Sequence, residues 1–338
     1  MELFLSVVVP TYRSAATLPT LAQRLLLVLN RIGKSFEIIF VDDGSPDDSW
    51  KILSDLQRSH PEQIVAIQLM RNYGQHNALM CGFRHSQGKY IVTIDDDLQN
   101  PPEEIPKLLE AIEANGFDLV YGTYDTKQHS ALRRMGSALV IGFFKLAFQS
   151  RIEGTSFRII RRDLVESIFS YTLNFTYIDG LLAWNTQRVG AISVAHHVRP
   201  QGRSSYSTHK LVLMALNLFT NFSLLPLQIV SACGFLVATA GFLLGCYFLI
   251  QHLLANISVP GYASTMIVIL LLGGIQLLAL GIMGEYLGRL HLNVNRKPQY
   301  VERQVVAGTA QRDESDAASA QALDRFEGRA DIATNSYR

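Results

Sequence analysis

Three consecutive carboxylates, Asp95-Asp96-Asp97, stand directly behind the β-favouring run Ile91-Val92-Thr93-Ile94. Adjacent buried carboxylates repel and desolvate one another, so the triplet cannot lie inside a strand. It marks the carboxyl end of a buried strand that opens onto a charged ligand, with Gln99 two residues beyond Asp97. Hard divalent cations take oxygen ligands, and magnesium is often held by one or two carboxylates together with substrate phosphates. A carboxylate cluster at such a strand end in an α/β sheet predicts a nucleotide-diphosphate site. The competing readings are an acidic loop and a calcium loop; the calcium pattern needs alternating acids and a later Glu, and the stretch does not have it.

The surrounding chain fits an α/β sheet. From residue 1 to about 125, apolar β runs alternate with helical patterns: strands at Leu3–Val9, Phe36–Val41, Ile64–Leu69, Tyr90–Ile94 and Phe117–Tyr121, and helices at Thr17–Ile32, Asp47–Arg58, Gln75–Gln87 and from Pro101. Near-continuous apolar strands separated by helices predict a parallel sheet covered on both faces. Residues 130–150 begin with Arg133-Arg134 and continue with a broad apolar face, the pattern of a helix in a membrane interface or of an ordinary core helix.

Two segments are predicted to cross a bilayer. Ile229–Ile250 is 22 residues without a charge and Ser264–Gly284 is 21 more; about 20 apolar residues suffice to span. Lys210 precedes the first, and Arg289, Arg296 and Lys297 follow the second. Basic flanks stay in the cytoplasm, which predicts an inner-membrane, multi-pass protein with its α/β domain cytoplasmic and a short external loop. Gly273, Gly274 and Gly281 offer a small-residue surface for helix association and a homo-oligomer. Lys plus Arg number 30 against 29 Asp plus Glu, so global charge does not point to nucleic acid. Cys81, Cys233 and Cys246 are spaced for neither a disulfide framework nor a metal site. The first ten residues lack the features of a signal peptide. The expected domains are 1–210, then 211–300 with the two spans, then a disordered tail at 307–338.

Strand ends of a parallel sheet converge on one edge. Here that edge collects Pro10-Thr11-Tyr12, Asp42-Asp43, Arg71-Asn72 and Asp95–Asp97. Tyr12 can stack on a base, and Asp42 or Asp43 can accept hydrogen bonds from a base or a ribose. Taken alone, Asp42-Asp43-Gly44-Ser45 is an ordinary turn with a helix cap; four such loops on one edge favour a ligand site. His76, on the helix after Arg71-Asn72, fits capping or packing better than catalysis.

Val7–Tyr12, Val41–Ser45, Arg71–His76 and Asp95–Glu103 together resemble the family 2 glycosyltransferases of the GT-A fold. Within these, the chain is most similar to the membrane-bound polyprenyl-phosphate glycosyltransferases, which include dolichyl-phosphate mannose synthases, bactoprenol glucosyltransferases and undecaprenyl-phosphate 4-deoxy-4-formamido-L-arabinose transferases. The resemblance covers roughly residues 4–300, with Gly284–Arg289 inside it. It implies a Rossmann-like sheet with a two-helix membrane hairpin. It also implies inverting transfer of a sugar from a nucleotide-sugar donor, a UDP-sugar, to a polyprenyl phosphate such as undecaprenyl phosphate. By the same resemblance Asp97 and Gln99, with Asp95, would hold Mg2+ or Mn2+, and Asp96 would line the donor site. Arg199, Arg203 and Ser204 fall in a basic loop that would close over the diphosphate, where an arginine fork pairs with phosphate oxygens; a juxtamembrane cluster binding anionic lipid is the alternative. Glu153 stands where the family has an aspartate before its Phe-Arg pair, proposed as base. Arg133, Arg134, Arg158 and Arg161 are candidates to hold the acceptor phosphate. The chain also departs from the family at Arg13-Ser14, often Asn-Glu, and at Ser205, often Lys. Rival readings are a processive polysaccharide synthase, a catalytically silent membrane-anchored nucleotide-sugar-binding protein and a nucleotidyltransferase. Trp184-Asn185-Thr186-Gln187-Arg188 does not match the motif of the first.

Overall fold

A computed structural model describes residues 3–124, 155–173, 176–197, 225–255, 262–294 and 298–308. Glu153, Arg133, Arg134, Arg199, Arg203 and Ser204, the helix expected at 130–150 and nearly all of the expected tail lie outside the described residues. The chain divides into one unit of Met1–Arg203 with Pro298–Arg338 and a second of Ser204–Lys297.

The first unit is built on one sheet. Its elements are β1 (Leu5–Thr11), α1 (Leu18–Ile32), β2 (Phe36–Asp42), α2 (Ser49–Ser59), β3 (Ile64–Leu69), α3 (Gln75–His85), β4 (Tyr90–Thr93), α4 (Ile105–Asn115), β5 (Leu119–Thr123), β6 (Arg158–Arg161), α5 (Arg162–Ser167), α6 (Ile178–Asn185), β7 (Val189–Ser193) and β8 (Glu302–Val306). The strand order is β7-β5-β6-β4-β1-β2-β3-β8. β3, β2, β1 and β4 run parallel, in register from Leu5 opposite Phe36 and Tyr90. Every residue of β1 is buried, which explains its unbroken apolar run Val7-Val8-Val9. Leu18, Leu21, Leu25 and Leu29 form the buried stripe of α1, and Gly33 ends that helix in the left-handed conformation. On α3, a methyl at Gly82 would lie 2.3 Å from Val8 Cγ1, so glycine lets this helix sit directly on β1.

The sheet is mostly parallel, as expected, with two antiparallel strands. β6 runs antiparallel between β4 and β5, and β8 runs antiparallel on β3. Through β8 the chain re-enters the first unit, which takes it up again at Pro298. The return is stitched in place. Gln299 Nε2 donates to the carbonyls of Tyr171 and Leu173 and to Thr176 Oγ1, and the Met70 N–H donates to the Val301 carbonyl.

The second unit contains α7 (Leu225–Ala255) and α8 (Tyr262–Val294), of 31 and 33 residues. Counted over the described residues alone, no helix is long and apolar enough to cross a membrane. Large apolar side chains nonetheless point outward: Phe235, Phe242 and Leu277 are each at least 70% exposed. A methyl at Gly273, Gly274 or Gly281 would meet no described atom within 4 Å.

Candidate active site

The carboxyl edge of the parallel strands gathers the residues the sequence singles out. β1 ends in buried Pro10 and Thr11, and Tyr12 follows, 41% exposed and available to a flat ligand. Its backbone N–H donates to Asp96 Oδ2 at 3.1 Å, and the Ser14 hydroxyl donates to the same oxygen. β1 and β4 are thus joined past their last paired residues. Arg13 has φ +58°, a conformation that turns the chain sharply just after the tyrosine.

Asp42 and Asp43 reach this edge but face inward. Asp42 accepts from the Ser45 N–H at 3.1 Å and from Gln68 Nε2 at 3.4 Å. Asp43 accepts from the Tyr73 N–H at 2.7 Å and the Gly74 N–H at 2.8 Å. Both are essentially fully buried and engaged within the protein, where they shape the wall of the edge. Burial raises both, Asp43 to about 6. A methyl at Gly44 would stand 2.6 Å from the Arg71 backbone, and glycine's φ of +66° completes this close turn. Arg71 itself is exposed, its guanidinium 4.4 Å from the Tyr73 ring centroid.

The triplet after β4 divides its work. Asp95 accepts from Gln75 Nε2 at 2.7 Å and from the Ser156 hydroxyl. Asp96 holds the β1 loop as described. Asp97 Oδ1 accepts from the Gln99 N–H at 3.1 Å, bracketing Leu98, whose φ is +61°. Such a conformation in a branched residue costs about 1–2 kcal/mol and persists only where its surroundings hold it. Burial lifts Asp95 to about 6; Ser156 opposes that rise, and the charges of Asp97 and Asp96 add to it. Burial likewise raises Asp96. Crowded, partly desolvated carboxylates favour a bound cation, which would restore their ionised form. The donor set of Asp97, Gln99 and Asp95 is oxygen-rich and suits Mg2+ or Mn2+.

Arg158 and Arg161 depart from their expected role. The Arg158 side chain is 1% exposed and paired with Asp179, which also accepts from the Tyr121 hydroxyl at 2.9 Å. A guanidinium so enclosed is committed to its carboxylate rather than presented to a phosphate. Arg161 pairs in register with Tyr90, at the opposite end of β4 from the triplet. His76 does pack, as its position suggested: its ring lies 5.2 Å from that of Tyr177, and burial lowers it to about 4, so it is neutral near pH 7.

Other residues join the site unannounced by any motif. Ser156 arrives because β6 is antiparallel and begins where β4 ends. After β7, the His197 N–H donates to the Gln99 carbonyl at 2.9 Å, and the His196 ring lies 4.1 Å from that of Tyr124. Tyr124 in turn donates to Asn100 Oδ1 at 2.6 Å. Neighbouring histidines near a strand end and a lone aspartate opening a helix carry no spacing signal of their own.

A mainly parallel sheet with carboxylates, a half-exposed tyrosine and an arginine along one edge defines an α/β protein suited to a nucleotide and a divalent cation. The comparisons make the class specific. Glycosyl transferase family 2 matches residues 6–169, and the GtrB C-terminal hairpin matches residues 225–290. The undecaprenyl-phosphate 4-deoxy-4-formamido-L-arabinose transferase of Shewanella sediminis is 35% identical over 311 residues, covering 91% of this chain and 94% of the relative. Its namesake in Pseudomonas aeruginosa PAO1 is 37% identical over 312 residues, covering 90% and 91%. That of Proteus mirabilis is 34% identical over 305 residues, covering 89% and 93%. The chain belongs to glycosyl transferase family 2. It is a glycosyltransferase with a GT-A, Rossmann-like domain followed by a GtrB-type hairpin.

Proposed function

We propose that this enzyme transfers a sugar from a UDP-sugar to undecaprenyl phosphate, with inversion at the anomeric carbon, on the cytoplasmic face of the inner membrane. The observation that carries the reading is the convergence of Tyr12, Arg71 and Asp95–Asp97 on one sheet edge, in a chain that also has two long helices with outward apolar side chains. An exposed apolar belt of that size is unfavourable in water and favourable in lipid. Relatives of nearly full coverage are named as transferases to the same lipid phosphate.

In this reading Tyr12 stacks on the base, and Asp97, Gln99 and Asp95 hold Mg2+ or Mn2+. The cation supplies charge neutralisation to the departing diphosphate. Arg71 faces the donor, and the loop with Arg199, Arg203 and Ser204 closes over it. Arg133 and Arg134 hold the acceptor phosphate. A phosphate monoester has a second pKa of about 6, so near pH 7 its oxygen is already an anion. The attacking oxygen displaces the nucleoside diphosphate in line. Positioning and charge neutralisation then matter more than proton removal, and Glu153 assists without being indispensable.

The test uses the full-length protein in detergent with undecaprenyl phosphate and a panel of UDP-sugars, UDP-4-deoxy-4-formamido-L-arabinose among them. One donor should give a lipid product heavier by a single sugar, with one UDP released per product. Binding of UDP-sugar without product would mean a silent binder. A ladder of repeated sugar masses would mean a processive synthase.

A further inference from the structure

We propose that Cys81, His85 and Glu302 form a binding site for one zinc ion, which fastens the strand returning from the hairpin onto helix α3. Sequence spacing gave no hint of it, because Glu302 lies 217 residues beyond His85. The fold unites them. Cys81 and His85 are four apart on α3 and share a face of that helix. Glu302 opens β8, opposite Leu69 of β3.

The geometry is that of a coordination shell. His85 Nε2 lies 2.9 Å from Glu302 Oε1, and Cys81 Sγ lies 3.4 Å from the same oxygen. One donor atom from each of the three falls within 4.8 Å of the others. Zinc bonds of about 2.0 Å to nitrogen and oxygen and about 2.3 Å to sulfur set tetrahedral donors roughly 3.3–3.5 Å apart. The His85–Glu302 and Cys81–Glu302 spacings therefore differ from those of a zinc site by only a few tenths of an ångström, and the Cys81–His85 spacing, within 4.8 Å, closes as the two side chains turn toward a shared ion. A thiolate and a carboxylate neutralise the two charges of the ion, and the imidazole binds neutral. Thiolate and imidazole select zinc over magnesium or calcium, so this site and the oxygen-rich sheet edge take different cations.

An ion can enter from the Glu302 side, where the carboxylate is 32% exposed and His85 is 14% exposed, while Cys81 forms the floor. Three protein donors leave a fourth position for water. Without the ion, burial holds the Cys81 thiol well above its ordinary range, so the thiol and His85 share Glu302 by hydrogen bonds. Binding zinc transfers the thiol proton to solvent and forms the sulfur–zinc bond, which makes affinity rise with pH. The competing account is that the three residues form a hydrogen-bonded knot only.

The full-length protein in detergent, stripped with a chelator and kept in excess Mg2+ to fill the hard-cation site, separates the two. Competition with a chromophoric chelator should give one zinc per chain. Cobalt in its place should show a thiolate-to-metal charge-transfer band. Cys81→Ser should abolish the band and weaken zinc by more than the roughly 100-fold that losing an outer partner can cost. Glu302→Gln should weaken zinc similarly, and Cys233→Ser should change neither readout. Because a core substitution can disturb folding, the wild-type chain supplies a second measurement: zinc should protect Cys81 from alkylation, as read by mass spectrometry. Unchanged zinc affinity in Cys81→Ser, a cobalt spectrum without the thiolate band, or alkylation of Cys81 indifferent to zinc would each leave the knot and remove the metal site.

Discussion

At the scale of single residues, the three adjacent aspartates are chemically alike and structurally distinct. Asp95 is oriented by Gln75 and Ser156, and Asp96 ties down the loop after β1. Asp97 is set by the turn at Leu98, whose positive φ lets Asp97 and Gln99 flank it. A strained turn of this kind is where a functional geometry is stored. Asp97→Asn keeps the shape and the Gln99 N–H acceptor but removes the charge that a cation needs. Transfer should fall by about 10²-fold or more, on the scale of losing a key electrostatic group, while the thermal midpoint stays close to wild type. Glu153→Gln should lower the rate less, because the acceptor oxygen is already ionised. Full activity of Asp97→Asn with magnesium or manganese would overturn the cation assignment, and an equal or greater loss in Glu153→Gln would establish a needed base.

At the scale of elements, the site depends on how the loops after β1, β2, β3 and β4 hold one another. Asp43 is the clearest link: it stands just past β2 and grips the backbone ahead of α3 through two N–H groups. Its folded pKa of about 6 lies above the roughly 3.9 of a free aspartate. Between those values the folded chain keeps a proton that the unfolded chain has released. Stability should therefore decrease as pH rises from about 4 to about 6 and level off above, by at most about 3 kcal/mol. Thermal midpoints of wild type and Asp43→Asn across that range give the check, with the variant showing the flatter profile; coincident slopes would mean that Asp43 is not the titrating group. The same elements show what a sequence can and cannot say. β1 to β4 and the helices between them were legible to within about two residues, because each strand is an apolar run and each helix has a buried stripe. β6, Arg-Ile-Ile-Arg, and β8, Glu-Arg-Gln-Val-Val, are short and half charged, and only distant partners make them strands. The sheet edge followed suit. The placement there of Tyr12 and Asp95–Asp97 was readable from strand ends, whereas the neighbours Ser156, Asp179 and His197 depend on pairings that no local pattern encodes.

At the scale of the whole molecule, connectivity constrains topology. The chain leaves the first unit after Arg203 and rejoins it at Pro298, with α7 and α8 in between. At 1.5 Å per residue, helices of 31 and 33 residues are longer than the roughly 30 Å of a bilayer core, though over the described residues alone neither is apolar enough to meet the requirement for a span. Under the proposed membrane reading these two helices would cross twice and return the chain to the side where it started, and both junctions belong to the unit that carries the carboxylate edge. In that reading the pairing of β8 with β3 agrees with the basic flanks Lys210, Arg296 and Lys297, since the two strands pair only if both lie in one compartment. The same reading puts the segment between the helices in the opposite compartment. In a chain cleared of its native cysteines, Ser258→Cys in that segment should react with a membrane-impermeant maleimide applied to cells with a permeabilised outer membrane. Ala307→Cys, just after β8, should react only once the inner membrane is opened. Protection of both positions, or labelling of both before lysis, would break the paired-crossing topology and with it the placement of donor chemistry on the cytoplasmic face.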